Sequence, residues 1–295
     1  MKKPIFTGAG VAIVTPFIDD ETVNYEEFGK IIDHQIANGT DAIIVMGTTG
    51  ESPTCPEDEH EEIVDFCCKH VAGRVPVIAG AGSNDTKTAI KLTKSAKASG
   101  ADAVLSVTPY YNKTTQAGLI AHFNAIADCE VPVILYSVPS RTGVSFTANT
   151  YKELSKHPYI NGVKEASGNF SLIAETLALC GDDLNIWSGN DDQIVPLMSM
   201  GGKGVISVLS NVAPQAVHNI CQLCFDGNYE KAAKMQLDYL ELTNSLFCEV
   251  NPIPVKKAMQ ILGWNVGKLR LPLVEPTEEH TARIRAALGQ MGCEI

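Results

Sequence analysis

Ile160-Asn161-Gly162-Val163 is an apolar-biased run that ends in a charge, Lys164, followed by Glu165-Ala166-Ser167-Gly168. A lysine drawn into an apolar interior loses solvation, which favours the neutral amine and makes it a nucleophile toward carbonyl carbon. The alternative is an ordinary lysine, paired with Glu165 or solvated at a rim. Two other segments carry matching chemistry. Gly47-Thr48-Thr49-Gly50-Glu51-Ser52 collects small hydroxyl residues and glycines that can turn backbone N–H groups toward a carboxylate; it also reads as a plain turn at a helix start. Tyr136-Ser137-Val138-Pro139-Ser140-Arg141-Thr142-Gly143 holds a phenol able to pass protons and a guanidinium able to grip a carboxylate with two hydrogen bonds. Taken singly, these two are as often a packed aromatic and a surface charge.

Other chemistries find little support. The seven histidines are scattered with no H-x-H or H-x-x-x-H pair, so no metal site is expected. His60, within EDEHEE, reads as a polar helix-face residue. The glycine clusters GAGSND and GGKG lack the third glycine of a dinucleotide fingerprint and the Lys-Ser/Thr of a phosphate loop. Cys221-x-x-Cys224 falls inside an apolar-periodic helix without a second ligand pair, and reads as two buried small residues.

The elements that must position these residues alternate along the chain. Short Val/Ile/Ala-rich runs end in small or polar residues and are followed by amphipathic segments of helical period. Eight runs stand out: Gly10 to Val14, Asp41 to Met46, Val75 to Ala79, Ala103 to Val107, Val133 to Tyr136, Ile160 to Lys164, Leu184 to Trp187 and Gly204 to Ser207. Continuous apolar runs suit strands buried on both faces. An open doubly wound sheet alternates in the same way, but an eighth βα unit favours closure into a (β/α)8 TIM barrel, whose usual length is about 250 residues. Asn24, Pro56, Asp85 and Asn190 are the expected helix starts. Helical periodicity continues through Ala213 to Phe225, Tyr229 to Phe247, Pro254 to Leu262 and Thr277 to Leu288. This predicts a barrel over residues 1–225 and a C-terminal helical appendage over 226–295, with no low-complexity linker between them. In such a barrel the reactive groups gather at the carboxyl ends of the strands, where all three segments above fall.

Composition narrows the partners. A formal charge of -11 disfavours nucleic acid, whose phosphates call for clustered Lys and Arg. No stretch approaches the roughly 18 apolar residues of a membrane span, so no membrane partner is expected. Met1-Lys2-Lys3 and the apolar run to Ile18 superficially resemble a secretory leader, but Pro4 and Pro16 interrupt the run and no small-x-small cleavage site closes it. Nine cysteines without a regular framework, in a chain long enough to build a core, fit reduced thiols and a cytoplasmic location.

GTTGES at Gly47 to Ser52, TPYYN at Thr108 to Asn112, YSVPSRTG at Tyr136 to Gly143, GVKEASGN at Gly162 to Asn169 and GVISV at Gly204 to Val208 together resemble the dihydrodipicolinate synthase (4-hydroxy-tetrahydrodipicolinate synthase) family. That family lies within the pyruvate-dependent class I aldolase and N-acetylneuraminate lyase superfamily. The similarity runs in order from the first strand to the last helices. It implies that Lys164 forms a Schiff base with pyruvate, with no separate cofactor, and that the carbonyls of Gly189 and Ile206 orient its amine. It also implies that Thr48 and Thr49 hold the pyruvate carboxylate, and that Tyr136, Thr48 and Tyr111 of the neighbouring subunit form a proton relay. Arg141 would bind the carboxylate of L-aspartate 4-semialdehyde, in the diaminopimelate route to L-lysine, and the assembly implied is a homotetramer built from dimers. Ser137 stands where the family usually has asparagine.

Family members under feedback control bind lysine at a subunit interface, and Ser52, His60, Asn84 and Tyr110 match that candidate site. Glu57 stands where sensitive members have a histidine and Thr88 where they have a glutamate, so inhibition by L-lysine is expected to be weak or absent. Two rival readings are a sialic acid or keto-deoxy-sugar lyase of the same superfamily and a non-catalytic barrel that binds a keto acid. Arg141 argues against the first, since a guanidinium suits a carboxylated aldehyde, and the retention of every reactive residue argues against the second.

Overall fold

The computed structural model describes residues 2–18 and 21–292. Met1 of the leader-like start and residues 293–295 of the expected appendage lie outside the described residues. Eight parallel strands close on themselves in chain order: β1 (Gly8–Ala12), β2 (Ala42–Val45), β3 (Val77–Gly80), β4 (Ala103–Val107), β5 (Val133–Ser137), β6 (Ile160–Glu165), β7 (Asn185–Ser188) and β8 (Gly204–Ser207). Closure is made by β1 against β8, with Gly8 opposite Gly204 and Val11 opposite Ser207. The (β/α)8 barrel expected from the repeats is the observed fold, and helices lie between the strands.

β1 begins two residues before the expected Gly10, because Gly8 pairs with Gly204 and the Ala9 N–H is fixed by the Asp41 carboxylate at 2.7 Å. Nothing larger than a glycine fits at that seam: a Cβ on Gly204 would lie 1.9 Å from the Gly8 carbonyl oxygen. The helix starts behave as their residue types require. Asn24 and Asp85 accept from the N–H groups of Glu27 and Thr88. Pro56 precedes helix Glu57–Val71. Asn190 makes no cap; a 3₁₀ turn, Asp191–Gln193, intervenes before the short helix Ile194–Ser199. The long periodic segment Tyr229 to Phe247 is two helices, Tyr229–Asp238 and Leu240–Ser245.

Strand alternation divides the apolar residues into two packed layers. Inward-facing Ala12, Ile44, Ile78, Leu105, Ile134 and Ile206 fill the barrel, together with Trp187, whose ring stacks on Phe6 at 5.1 Å. Outward-facing residues pack against the helices in a larger cluster, which also takes in Leu242, Leu246, Val255, Met259, Ile284 and Leu288 from the C-terminal helices. Those helices therefore share the core of the barrel.

A candidate active site at the barrel mouth

Lys164 is the penultimate residue of β6, in register with Tyr136 on β5 and Trp187 on β7, so all three side chains enter the barrel. Glu165, the next residue, takes the opposite face. There it accepts from the Tyr151 hydroxyl at 2.7 Å and from the Ser167 N–H at 2.9 Å. Alternation thus separates Lys164 from the carboxylate beside it in sequence, and the two residues do not pair. Lys164 is 6% exposed and its Nζ lies 4.4 Å from the centre of the Tyr136 ring. Ser137 shares the outward face with Glu165, so its departure from the usual asparagine does not touch the cavity.

The amine opens into a cavity of about 220 Å³ bounded by Thr48, Thr49, Tyr136, Arg141 and Gly189. Thr48 and Thr49 belong to a 3₁₀ turn, Thr48–Gly50, that follows β2. Glu51 closes that turn in the left-handed region, φ 58°, unusual for a residue with a side chain. Its carboxylate is wholly buried, accepting from Lys256 Nζ at 2.7 Å and from the Arg270 N–H at 3.0 Å. Lys256 in turn lies 4.3 Å from the centre of the Phe17 ring. Burial pulls the Lys256 amine below its ordinary value, with the Glu51 charge acting against that fall.

Gly189 follows β7 and lies against the reactive lysine. A Cβ there would sit 2.6 Å from the Ala166 Cβ and 3.2 Å from Lys164 Cε. Arg141, on the short helix Pro139–Thr142, stands exposed at the rim and donates through Nη2 to the Asn251 carbonyl at 3.2 Å. Ile206 is fully buried in the barrel interior and does not line the cavity. Tyr111 does not reach it either. It occupies the left-handed region at φ 68° beyond β4, and its side chain is 92% exposed.

A second cavity of about 400 Å³ adjoins the first and shares Thr48, Tyr136 and Arg141 with it. Ser52, His60 and Tyr110 line this space, while Asn84 is tied to its edge by donating to the Tyr110 carbonyl at 3.2 Å. His60 is buried, which corrects the reading of a polar helix-face residue: helix Glu57–Val71 turns it inward, where Nε2 donates to the Gly80 carbonyl at 2.8 Å. Burial holds its pKa below the ordinary imidazole value. Glu57 and Thr88 both border the cavity, but each is already engaged, Glu57 with Lys91 at 2.6 Å and Thr88 with the Asp85 carboxylate at 2.9 Å.

Three residues at or beside the site are missed by the sequence reading. Phe247 and Asn251 reach the first cavity from the C-terminal segment, far along the chain from every motif. Asp191, in the 3₁₀ turn after β7, lines neither cavity but is buried near Lys164, its carboxylate accepting from the N–H groups of Val208 and Leu209 at 3.0 and 2.9 Å. Burial pushes the Asp191 carboxyl up, against those hydrogen bonds and the nearby charge of Lys164. A pair of acidic residues after a strand was the available signal for Asp191; for Asn251 only its place before two prolines marked it. Cys221 and Cys224 are buried in helix Pro214–Phe225 as expected, and burial drives the first thiol well above its ordinary value and the second up to about 11. Among the described residues no group of three or more His, Cys, Asp or Glu is placed to hold a metal ion, and no helix is long and apolar enough to cross a membrane.

Comparison with known proteins agrees with this geometry. Residues 5–291 match the model of the Dihydrodipicolinate synthetase family. A relative named 4-hydroxy-tetrahydrodipicolinate synthase, from Caldicellulosiruptor saccharolyticus, is 54% identical over 293 residues, covering 99% of each chain. The structure of a dihydrodipicolinate synthase from Cyanidioschyzon merolae with lysine bound superposes with a TM-score of 0.96 at 41% identity, over 99% of this chain and 100% of that one. An enzyme of the same name from Acinetobacter baumannii, complexed with pyruvate, gives 0.95 at 40% identity over 98% and 99%. A lysine only 6% exposed at the mouth of a closed eight-stranded barrel and full-length relatives above half identity lead to one conclusion: the chain belongs to the dihydrodipicolinate synthetase family.

Proposed function

We propose that this chain condenses pyruvate with L-aspartate 4-semialdehyde through a Schiff base on Lys164, yielding 4-hydroxy-tetrahydrodipicolinate for the diaminopimelate route to L-lysine. The observation that carries the reading is the amine of Lys164, set into the cavity against Tyr136 and turned away from its neighbouring carboxylate. The amine attacks the keto carbon of pyruvate, and loss of water leaves an iminium that serves as electron sink. A proton then leaves the pyruvate methyl group to give the enamine, whose carbon attacks the aldehyde. The amino group of the second substrate closes the ring on the imine carbon and releases Lys164 as the free amine.

In this reading Tyr136 and Thr48 carry protons, Thr48 and Thr49 hold the pyruvate carboxylate, and the carbonyls of Gly189 and Ile206 orient the amine. Arg141, at the rim, takes the carboxylate of the second substrate with the N–H groups not committed to Asn251. Tyr111 completes the relay in a neighbouring subunit: a tyrosine 92% exposed in a single chain, beside the site it does not enter, suits an arm reaching across an interface. The assembly is then a homotetramer built from dimers, cytoplasmic, with residues 1–225 as catalytic barrel and 226–295 as helical extension. The second cavity is the candidate site for L-lysine, bound weakly because Thr88 supplies no charge and Glu57 is held by Lys91.

A coupled assay offering pyruvate with L-aspartate 4-semialdehyde, and separately with sugar aldehydes, tests the reading. Turnover confined to the first pair supports it. Preferred turnover of a sugar aldehyde assigns the chain to a sialic acid or keto-deoxy-sugar lyase instead.

A further inference from the structure

Asn251 lies between helices Leu240–Ser245 and Ile253–Ile261, outside the barrel, yet it borders the cavity and is buried. Its side-chain Nδ2 donates to Thr49 Oγ1 at 3.0 Å, and its main-chain carbonyl accepts from Arg141 Nη2 at 3.2 Å. The remaining amide oxygen, Oδ1, is buried and has no hydrogen-bond partner among the described residues. An unpaired buried oxygen is a cost that an apolar side chain of similar size would avoid, so packing alone does not account for an amide here.

From these contacts we infer that Asn251 is a positioning residue that sets the direction of both carboxylate-binding groups; the inference rests on the condensation proposed above. A threonine hydroxyl has one O–H to give and lone pairs to receive. With a lone pair of Thr49 occupied by the amide N–H, its own O–H is turned toward the cavity, where a substrate carboxylate can accept it. The Asn251 carbonyl holds one nitrogen of the Arg141 guanidinium, leaving its other N–H groups to meet the second carboxylate. One residue of the C-terminal segment therefore ties the two substrate positions together, and anchoring its amide on Thr49 also fixes the carbonyl that Arg141 uses.

Steady-state kinetics on Asn251→Ala, Asn251→Asp, Thr49→Val and the double variant Thr49→Val/Asn251→Ala test this. Loss of one such hydrogen bond corresponds to about 3- to 10-fold, so Asn251→Ala should raise KM for pyruvate and for the aldehyde by that factor while kcat changes less than about twofold. Thr49→Val should raise only the pyruvate KM, and adding Asn251→Ala should not raise it further, because the asparagine acts on pyruvate through the threonine. Asn251→Asp keeps the shape but draws the Thr49 O–H to itself and places a negative charge beside both carboxylates. It should raise both KM values by about tenfold or more, and it decides the matter if the alanine variant does not fold. Wild-type KM values in either Asn251 variant, or Thr49 and Asn251 losses that multiply, overturn the inference. Trapping with pyruvate and borohydride separates the two ideas. Absence of an adduct on wild-type Lys164 removes the condensation reading, whereas an adduct with unmoved KM values in the variants removes the role of Asn251 alone.

Discussion

Lys256→Met is the perturbation that most sharply tests how the turn bearing Thr48 and Thr49 is held. The Lys256 and Glu51 side chains are 1% and 0% exposed and 2.7 Å apart. Removing the ammonium leaves the Glu51 carboxylate buried, with the Arg270 N–H at 3.0 Å as its remaining hydrogen-bond donor. Breaking a buried pair in this one-sided way costs about 3–5 kcal/mol. At about 2–4 °C per kcal/mol for a chain of this class, the melting temperature should fall by roughly 10 °C. Because Glu51 closes the Thr48–Gly50 turn, the pyruvate KM should rise as well. Glu51→Gln should cost less, since the glutamine oxygen can still accept and Lys256 can shed its proton. The sign follows from linkage. Lys256 in the folded protein titrates below its unfolded value, so the unfolded chain binds more protons and stability rises with pH toward about 10.5. Losing the Glu51 charge widens that window, and the deficit of Glu51→Gln should shrink between pH 7 and 9. Thermal unfolding followed by circular dichroism across that pH range, with pyruvate kinetics on the same samples, reads both effects. A Lys256→Met variant within about 1 kcal/mol of wild type with an unchanged pyruvate KM would refute the claim that this pair fixes the turn.

Gly189→Ala places a methyl group 2.6 Å from the Ala166 Cβ and 3.2 Å from Lys164 Cε, an overpacking worth about 1–3 kcal/mol that must displace the lysine chain. Its kcat should drop at least tenfold with little change in fold; a kcat within twofold of wild type means that the lysine has more room than the geometry allows. Tyr111→Phe and Lys164→Ala, each nearly inactive, should regain activity when refolded together, because a mixed dimer contains one site free of both changes. Verified hybrids without recovery place Tyr111 in its own subunit's site. Titration with L-lysine should leave initial rates nearly unchanged at submillimolar concentration, since Thr88 offers no charge and Glu57 is occupied by Lys91; half-inhibition in that range shows that the substitutions spare the site.

The barrel was legible because its strands are buried on both faces, which leaves continuous apolar runs, and because Asn24 and Asp85 cap their helices by local chemistry that sequence spacing exposes. Strand alternation even foretells the separation of Lys164 from Glu165, once the strand is known to run through both. What was not legible depends on contacts remote in sequence. Asn251 meets Thr49 across 202 positions, and Lys256 meets Glu51 across 205. His60 reads as solvated amid EDEHEE because its acidic neighbours set the local pattern, while the Gly80 carbonyl that accepts its N–H belongs to the next strand. Tyr229 to Phe247 looked like one helix because the break between Asp238 and Leu240 leaves the apolar period nearly intact.

In the proposed reaction the amine of Lys164 forms the covalent bond to pyruvate. Incubation with pyruvate and borohydride, followed by peptide mass mapping, tests it most directly. Loss of activity is expected together with a single pyruvate-derived addition on the peptide bearing Lys164. An unmodified Lys164 in protein that keeps full activity after the same treatment would contradict it.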